Sequence, residues 1–299
     1  GQTTATKKEL LSRISSKPNE NLNFFDADIT NQQKMDVLFD RAKPNVLVHA
    51  AALLVPPKES DYENRDQYIC ALDRFAEVNQ AKVLADCARK YQETEAGLYC
   101  LFISTIHIFS KEYGDITEET LHAPINLYAQ TKDEAQKYWE SLGLNLAVIY
   151  PPQIYGPWQF TPAIMSRLTQ GLLHAELPLL TVSGSINPIH VNNLMQLIYG
   201  LCVLSKTGNY CINGDGLLTL EDIAFTLQRA ASIFLAEQGR TPYQSFVVAD
   251  STALVQPRVN DTRLLSLFHL SFPETEAHKS IPFDTTAQEI IKSHWQHKM

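Results

Sequence analysis

The chain has few of the features that would bring it to a membrane or to nucleic acid. No apolar run approaches the ~18 residues that a membrane-spanning helix needs. From the polar first residues we also expect no signal peptide. Lysine and arginine never form a block, and the formal net charge is −8. We therefore expect neither a membrane nor nucleic acid as a partner of this chain.

Cysteine is scarce as well, and no Cys-x-x-Cys pair occurs. The five cysteines lie far apart, at Cys70, Cys87, Cys100, Cys202 and Cys211. Reduced thiols in a cytoplasmic protein are the simplest interpretation of an odd number of scattered cysteines. Histidine, cysteine and carboxylate residues also show no spacing that matches a metal site. We therefore expect a cytoplasmic location and no metal.

The sequence does contain the material for a folded core, because its 299 residues are 44% hydrophobic. Three apolar runs without alternation are typical of strands buried on both faces of a parallel sheet. These runs are residues 45–54, 98–104 and 145–150. Helical patterns separate them, over 32–42, over 73–91 and from 126 onward, and 22–25 suggests a further short strand. The alternation predicts an α/β fold with a doubly wound parallel sheet.

The second half of the chain has a different composition. Residues 151–162, PPQIYGPWQFTP, are rich in proline and aromatic side chains, which is typical of a loop that lines a cleft. A capping-box spacing, Thr219 and Asp222, begins a long helix further on. We expect a first domain over residues 1–155 and a smaller, mixed α/β substrate domain over 156–299, with 187–214 returning to the sheet.

One group of residues indicates a definite chemistry. Tyr128 and Lys132 are four residues apart, so on a helix their side chains project from one face, one turn apart. A phenol beside an ammonium group loses its proton more easily, because the cation stabilises the phenolate. Thr105, at the end of an apolar run, adds a hydroxyl that can hold a substrate oxygen. The three residues therefore predict a general acid/base site.

Six segments, in order along the chain, resemble those of the extended short-chain dehydrogenase/reductases. This family contains the nucleotide-sugar epimerases, dehydratases and reductases, among them the dTDP-4-dehydrorhamnose reductases. The segments are DADIT (26–30), VLVHAAAL (46–53), ISTIHIF (103–109), PINLYAQTK (124–132), PPQIYGP (151–157) and PIHVNNL (188–194). The resemblance implies a Rossmann-like sheet, NAD or NADP as cofactor, and a nucleotide-sugar or related carbonyl or alcohol as substrate.

The same resemblance implies roles for individual residues. Tyr128 would be the proton donor and acceptor, Lys132 the cation that lowers its pKa and contacts the nicotinamide ribose, and Thr105 the hydroxyl that orients the reacting oxygen. Asn79 would be structural and hold backbone or water near Lys132. The other implied cofactor contacts are Asp28, beside the adenine, and Ile29, Ala50, Ala51, Ala52, Ser104, Pro151 and Ile154. The implied substrate contacts are His107, Gln153, Tyr155 and Trp158.

The sequence also departs from the family pattern. The family's Gly-x-x-Gly-x-x-Gly turn, which seats a pyrophosphate on a helix N-terminus, occurs nowhere among the 12 glycines, so the sheet is expected to be N-terminally incomplete. Either a stretch before Gly1 supplies this turn or the protein lacks it, and we expect the 299 residues alone to bind NAD(H) and NADP(H) weakly or not at all. Tyr150 replaces the usual arginine, Ser110 replaces the usual glycine, and Ile106 and His107 stand where the reductases have Asp-Tyr.

Two other functions stay open at this point. A non-catalytic, regulatory or nucleotide-sensing protein would resemble the regulatory subunit of methionine adenosyltransferase, which has the same reductase-like fold. The missing glycine turn favours this alternative, and the set of Thr105, Tyr128 and Lys132 disfavours it. The HAAAL and HVNNL segments also resemble 3β-hydroxysteroid dehydrogenases, which a more apolar cleft would distinguish. As partners we expect a small-molecule substrate, with a homodimer left open.

Overall fold

A computed structural model describes residues 23–95, 97–109, 115–159, 163–174, 180–248, 259, 264 and 283–298. Its α-helices are α1 (Gln32–Ala42), α2 (Arg65–Gln80), α3 (Lys82–Thr94), α4 (Leu127–Ser141), α5 (Ile164–Leu173), α6 (Val191–Leu204), α7 (Leu220–Ala236) and α8 (Phe283–Lys298). Its strands are β1 (Val46–His49), β2 (Tyr99–Ile103), β3 (Leu146–Tyr150), β4 (Ile154–Tyr155), β5 (Leu180–Val182), β6 (Ser185–Ile186), β7 (Ile189–His190), β8 (Gly208–Cys211), β9 (Leu218–Thr219) and β10 (Phe246–Val248). Short 3-10 turns lie at Glu59–Asp61 and Ile106–Ile108. Ser110 lies outside the described residues.

A four-stranded, all-parallel sheet with the order β1-β2-β3-β8 forms the centre of the first half. The three apolar runs supply β1, β2 and β3, so the prediction of an α/β fold with a parallel sheet is confirmed. β1 is shorter than its apolar run and ends at His49, before the alanines. β8, from the second half of the chain, pairs with β3 through Ala147 and Gly208.

The two faces of this sheet are covered by different helices, which explains why β2 and β3 are apolar throughout, whereas Val46 and Val48 of β1 are exposed. On one face, α1, α3 and α4 cover a core that includes Met35, Phe102, Trp139 and Tyr150. On the other face, α6 covers Leu101 and Ile149 together with neighbouring apolar side chains. Since alternate residues of one strand enter different cores, both sets must be apolar.

Two sequence-based predictions about local structure are wrong. The helix predicted over 73–91 is two helices, α2 and α3, that meet at Ala81. Ala81 has φ 48 in the left-handed region, and its N–H donates to the Glu77 carbonyl, which closes α2. The strand predicted over 22–25 is absent at residues 23–25, where Phe24 and Phe25 are exposed and pair with no strand.

The second half packs three helices, α5, α7 and α8, around a separate apolar core. Short strand pairs surround it: β5 with β10, β4 with β7, and β6 with β9. Thr219 begins α7 as predicted, because its hydroxyl oxygen accepts the Asp222 N–H at 3.0 Å. In the part of the chain that the structure describes, no helix is long and apolar enough to cross a membrane.

Candidate active site

The predicted catalytic threonine lies in a tight turn at the carboxyl end of β2. Thr105 is buried, and its hydroxyl oxygen accepts the His107 N–H at 3.2 Å, which caps the 3-10 turn Ile106–Ile108. The Ile106 N–H donates to the Pro151 carbonyl just beyond β3, at 3.3 Å. The turn is therefore fixed from both sides at the carboxyl edge of the sheet, where doubly wound folds bind ligands.

Lys132 lies on α4, and its side chain is only 2% exposed. Its Nζ atom lies 4.1 Å from the ring centroid of Phe102, on β2. Among the described residues, the ammonium forms neither a hydrogen bond nor an ion pair. Burial lowers the pKa of Lys132 to about 7, because a charge is costly away from water. An ammonium in this position favours a ligand that supplies acceptor oxygens.

Tyr128 begins the same helix one turn earlier and is half-buried. Burial raises the pKa of its phenol. The Lys132 ammonium lies over Phe102, and burial dominates the environment of the phenol in the structure. A lowering of the Tyr128 pKa by Lys132 stays a prediction.

Asn79 connects the catalytic helix to the segment after β1. The Leu53 N–H donates to Asn79 Oδ1 at 2.7 Å, and Asn79 Nδ2 donates to the Leu53 carbonyl at 3.1 Å. The same Nδ2 lies 3.1 Å from Thr131 Oγ1, and that hydroxyl donates to the Tyr128 carbonyl. Sequence reasoning missed Thr131, although a hydroxyl residue directly before Lys132 was a visible signal. The fully buried amide thus fixes α4 against the chain segment that follows β1.

His49, the last residue of β1, is a further buried neighbour of Lys132. Its ring stacks on Trp139, with the ring centroids 5.4 Å apart and the planes 7° apart. Burial and, secondarily, the charge of Lys132 lower the pKa of His49 to about 3. A neutral imidazole therefore adjoins the site, and we infer that His49 packs rather than transfers protons.

Most of the predicted cofactor contacts follow the carboxyl ends of adjacent strands. Ala50, Ala51 and Ala52 follow β1, Ser104 follows β2, and Pro151 follows β3, while Ile154 lies in β4. The parallel sheet thus brings these residues to one edge. Asp28 and Ile29 lie in the segment before α1. The Asp28 carboxylate accepts the Thr30 N–H and pairs with Arg74, and these contacts hold its pKa below the usual range.

The predicted substrate residues differ in exposure. Gln153, Trp158 and His107 are half-buried. Tyr155 is only 2% exposed, its hydroxyl donates to Asp215 Oδ2 at 3.2 Å, and its ring packs against Phe283. We therefore correct the prediction for Tyr155: the structure gives it a packing role within the loop, because its polar and apolar atoms are both engaged by protein.

Comparison with known proteins bears on most of this chain. Residues 3–199 match the family model described as the NAD dependent epimerase/dehydratase family. The chain belongs to this family. A dTDP-4-dehydrorhamnose reductase of Aggregatibacter actinomycetemcomitans is 24% identical over 215 residues, or 69% of this chain and 68% of that protein. The methionine adenosyltransferase 2 subunit beta of Pongo abelii is 31% identical over 114 residues, or 38% of this chain and 30% of that protein.

The fold of the family is also found in solved structures. The dTDP-glucose 4,6-dehydratase of Bacillus anthracis, solved in complex with NAD, is similar with a TM-score of 0.69 and 18% sequence identity. That similarity covers 96% of this chain and 84% of the dehydratase. It confirms the predicted Rossmann-like architecture, and the family match confirms the resemblance to extended short-chain dehydrogenase/reductases.

The described residues fit one end of the family's cofactor. Lys132 offers an unpaired ammonium, and Ser104 offers a buried hydroxyl that has no hydrogen-bond partner among the described residues. Both groups suit the hydroxyl and amide oxygens of a nicotinamide nucleoside. The described residues include no glycine-rich turn for a pyrophosphate, so only the nicotinamide end is assigned to side chains of this chain.

Proposed function

We propose that this chain takes part in NAD(P)-dependent chemistry on a nucleotide-linked sugar, as an epimerase, dehydratase or reductase. The observation that carries the proposal is the unpaired, buried ammonium of Lys132, one helical turn from the half-buried phenol of Tyr128. A buried charge without a partner is costly in a folded protein. A ligand oxygen that accepts a hydrogen bond from the Lys132 ammonium would offset this cost.

Each residue of the site has a definite task in this proposal. Tyr128 exchanges a proton with the reacting substrate oxygen, and Thr105 donates a hydrogen bond that orients the same oxygen. Lys132 binds the ribose hydroxyls, and its burial away from water strengthens that contact. A bound nicotinamide would supply the hydride transfer. Because burial raises the pKa of Tyr128, the phenol is poised to act first as a proton donor.

The substrate is proposed to lie between the carboxyl edge of the sheet and the loop 151–158. The contacts proposed for it are His107, Gln153 and Trp158, which are half-buried, while Tyr155 supports the loop from beneath. In this proposal the division near residue 155 separates a cofactor-side half from a substrate-side half. The similarity to a dTDP-4-dehydrorhamnose reductase and to a dTDP-glucose 4,6-dehydratase supports a sugar nucleotide as substrate.

Turnover of dTDP-glucose in the presence of NAD tests the proposal. The 299-residue chain is incubated with dTDP-glucose and a large excess of NAD, because the binding of NAD is expected to be weak. Changed sugar nucleotides are separated by ion exchange and identified by mass. Tyr128→Phe should abolish product formation, because the proton relay is lost. Tyr138→Phe is the matched control. Tyr138 lies on the same helix as Tyr128, but its hydroxyl donates to Asp86 of α3. Equal activity in both variants would exclude Tyr128 as the acid/base.

A second candidate function is regulatory. The match to methionine adenosyltransferase 2 subunit beta, at 31% identity, is the specific observation that favours it. A regulatory protein would bind the nucleotide without changing it. Isothermal titration of NAD and dTDP-glucose into the wild type separates the two functions: binding without product favours regulation, and binding with product favours catalysis.

We also infer a cytoplasmic location from the state of the cysteines. All five are free thiols, and Cys87, Cys100 and Cys211 are buried. Burial raises the pKa of Cys100 to about 12, so this thiol resists oxidation. Localisation of a tagged chain by microscopy tests the inference, and sedimentation of the purified chain tests whether a homodimer forms.

A further inference from the structure

The loop that carries Trp158 contains an unusual backbone conformation. Trp158 has φ 67, in the left-handed region that bulky side chains rarely adopt. Gly156, two residues earlier, has φ 156, and a Cβ there would lie 2.7 Å from Val191 Cγ1. Pro157 between them has a fixed φ. The loop therefore makes a tight turn over residues 156–158, and contacts with other parts of the chain stabilise its backbone conformation.

One of those contacts comes from Ser293 on α8, a helix far away in the sequence. The Trp158 N–H donates to Ser293 Oγ at 3.0 Å. The Ser293 hydroxyl in turn donates to the Ile290 carbonyl of its own helix at 2.8 Å. Ser293 is buried, so this hydroxyl accepts from the loop and donates to the helix with little competition from water.

The helix α8 is itself anchored, which makes it a firm support. His294 Nε2 lies 3.0 Å from Ser166 Oγ on α5, and both side chains are buried. Near the start of α8, the Phe283 ring contacts the Tyr155 ring, with centroids 5.6 Å apart. α8 thus touches the loop through Tyr155 and again through Trp158, so a shift of the helix would move both.

We propose that Ser293 is a positioning residue that holds Trp158 in its left-handed conformation and so aims the indole at the sugar nucleotide. The inference rests on the proposed function, because it is there that Trp158 contacts substrate. Ser293 touches no reacting atom. Its hydrogen bond restricts the backbone conformations of the loop at Trp158 before substrate binds.

The backbone part of the inference is tested without any ligand. In protein labelled with ¹⁵N-tryptophan, the amide signals of Trp139, Trp158 and Trp295 are assigned by single Trp→Phe substitutions. Ser293→Ala should shift the Trp158 amide signal and speed its hydrogen exchange by about tenfold, as for the loss of one hydrogen bond. Ser166→Ala is the matched control, because it removes a buried hydroxyl contact to α8 but keeps the hydrogen bond from Ser293 to the loop, so its effect on the Trp158 amide should be clearly smaller.

The functional part is tested by titration of dTDP-glucose into wild type and variants at one fixed, high concentration of NAD. Ser293→Ala should raise the Kd of dTDP-glucose about tenfold and lower kcat much less, since only positioning is lost. Ser293→Thr, which keeps the hydroxyl, should restore most of the affinity. In a Trp158→Ala background, Ser293→Ala should have no further effect on Kd, because its target is gone.

The positioning of Trp158 by Ser293 and the contact of Trp158 with a sugar nucleotide are tested separately. If Ser293→Ala leaves the Trp158 amide unchanged, or if Ser166→Ala changes it equally, Ser293 does not position Trp158 and the inference is wrong. If the amide responds as expected but the wild type does not bind dTDP-glucose, the assignment of Trp158 to this substrate class is wrong instead. A Kd effect of Ser293→Ala that persists without the Trp158 indole would also overturn the inference.

Discussion

Replacing Lys132 by methionine should stabilise the protein, and the gain should depend on pH. Methionine keeps an apolar stem of similar length and removes the ammonium that lies over Phe102. Burial lowers the pKa of Lys132 from 10.5 to about 7. At about 1.4 kcal/mol per pH unit, the difference between these two values corresponds to an upper bound of about 5 kcal/mol.

The sign of the pH dependence follows from the proton count in each state. Between pH 7 and 10.5 the unfolded chain keeps the Lys132 proton and the folded chain has released it. The stability of the wild type therefore rises with pH in this interval, by at most ~1.4 kcal/mol per pH unit. Below pH 7 both states are charged and the full cost of burial is present. The advantage of Lys132→Met is thus largest near pH 6.5 and shrinks toward pH 10.

Urea unfolding at pH 6.5, 7.5, 8.5 and 9.5 measures the unfolding free energy of wild type and Lys132→Met. The contributions of the other titrating groups largely cancel in the difference between the two proteins. Lys90→Met serves as the control, since the Lys90 side chain is 73% exposed on α3. Its unfolding free energy should follow the wild type within about 0.5 kcal/mol at every pH. A difference between wild type and Lys132→Met that is constant with pH would refute the reasoning, and so would a variant that is less stable than the wild type at pH 6.5.

Three further predictions concern single residues. Tyr128→Phe should abolish turnover and leave the calorimetric Kd for NAD within about twofold, because only a proton relay is removed; a variant with most of its activity would contradict the mechanism. Asn79→Ala should cost about 3 kcal/mol in urea unfolding, since it removes a fully buried amide and its three hydrogen bonds; a loss below about 1 kcal/mol would mean that water replaces the amide. Lys43→Gly should raise the unfolding free energy by about 1 kcal/mol because Lys43 ends α1 with φ 43, while Lys43→Ala should be nearly neutral; equal effects of glycine and alanine would exclude the conformational explanation.

The sheet was largely predictable because β2 and β3 are buried on both faces, and the apolar run of β1 continues the same pattern although Val46 and Val48 are exposed. Burial on two faces leaves an unbroken apolar run, and each such run became β1, β2 or β3. The break between α2 and α3 was not predictable, because Ala81 is a strong helix former and neither glycine nor proline marks the position. The break is imposed by tertiary packing, in which Ala81 is completely buried.

The candidate site was predictable only where its members share one periodic element. The spacing of Tyr128 and Lys132 follows from helix geometry, whereas the direction of the Tyr128 pKa depends on how deeply α4 is buried. The packing role of Tyr155 depends on Asp215 and Phe283, which the sequence does not place near it. The contact between Trp158 and Ser293 joins residues 135 positions apart, and no local pattern can reveal such a pair.

The order of strands in the sheet also governs when the protein can fold during its synthesis. β3 lies between β2 and β8, so its second hydrogen-bonding edge waits for residues 208–211. By then the ribosome has also made α5 and α6, which leave that edge unpaired while they emerge. An open strand edge on a nascent chain is a place where other chains can pair. The open edge of β3 is therefore covered only after β8, which belongs to the second half of the chain, has been translated.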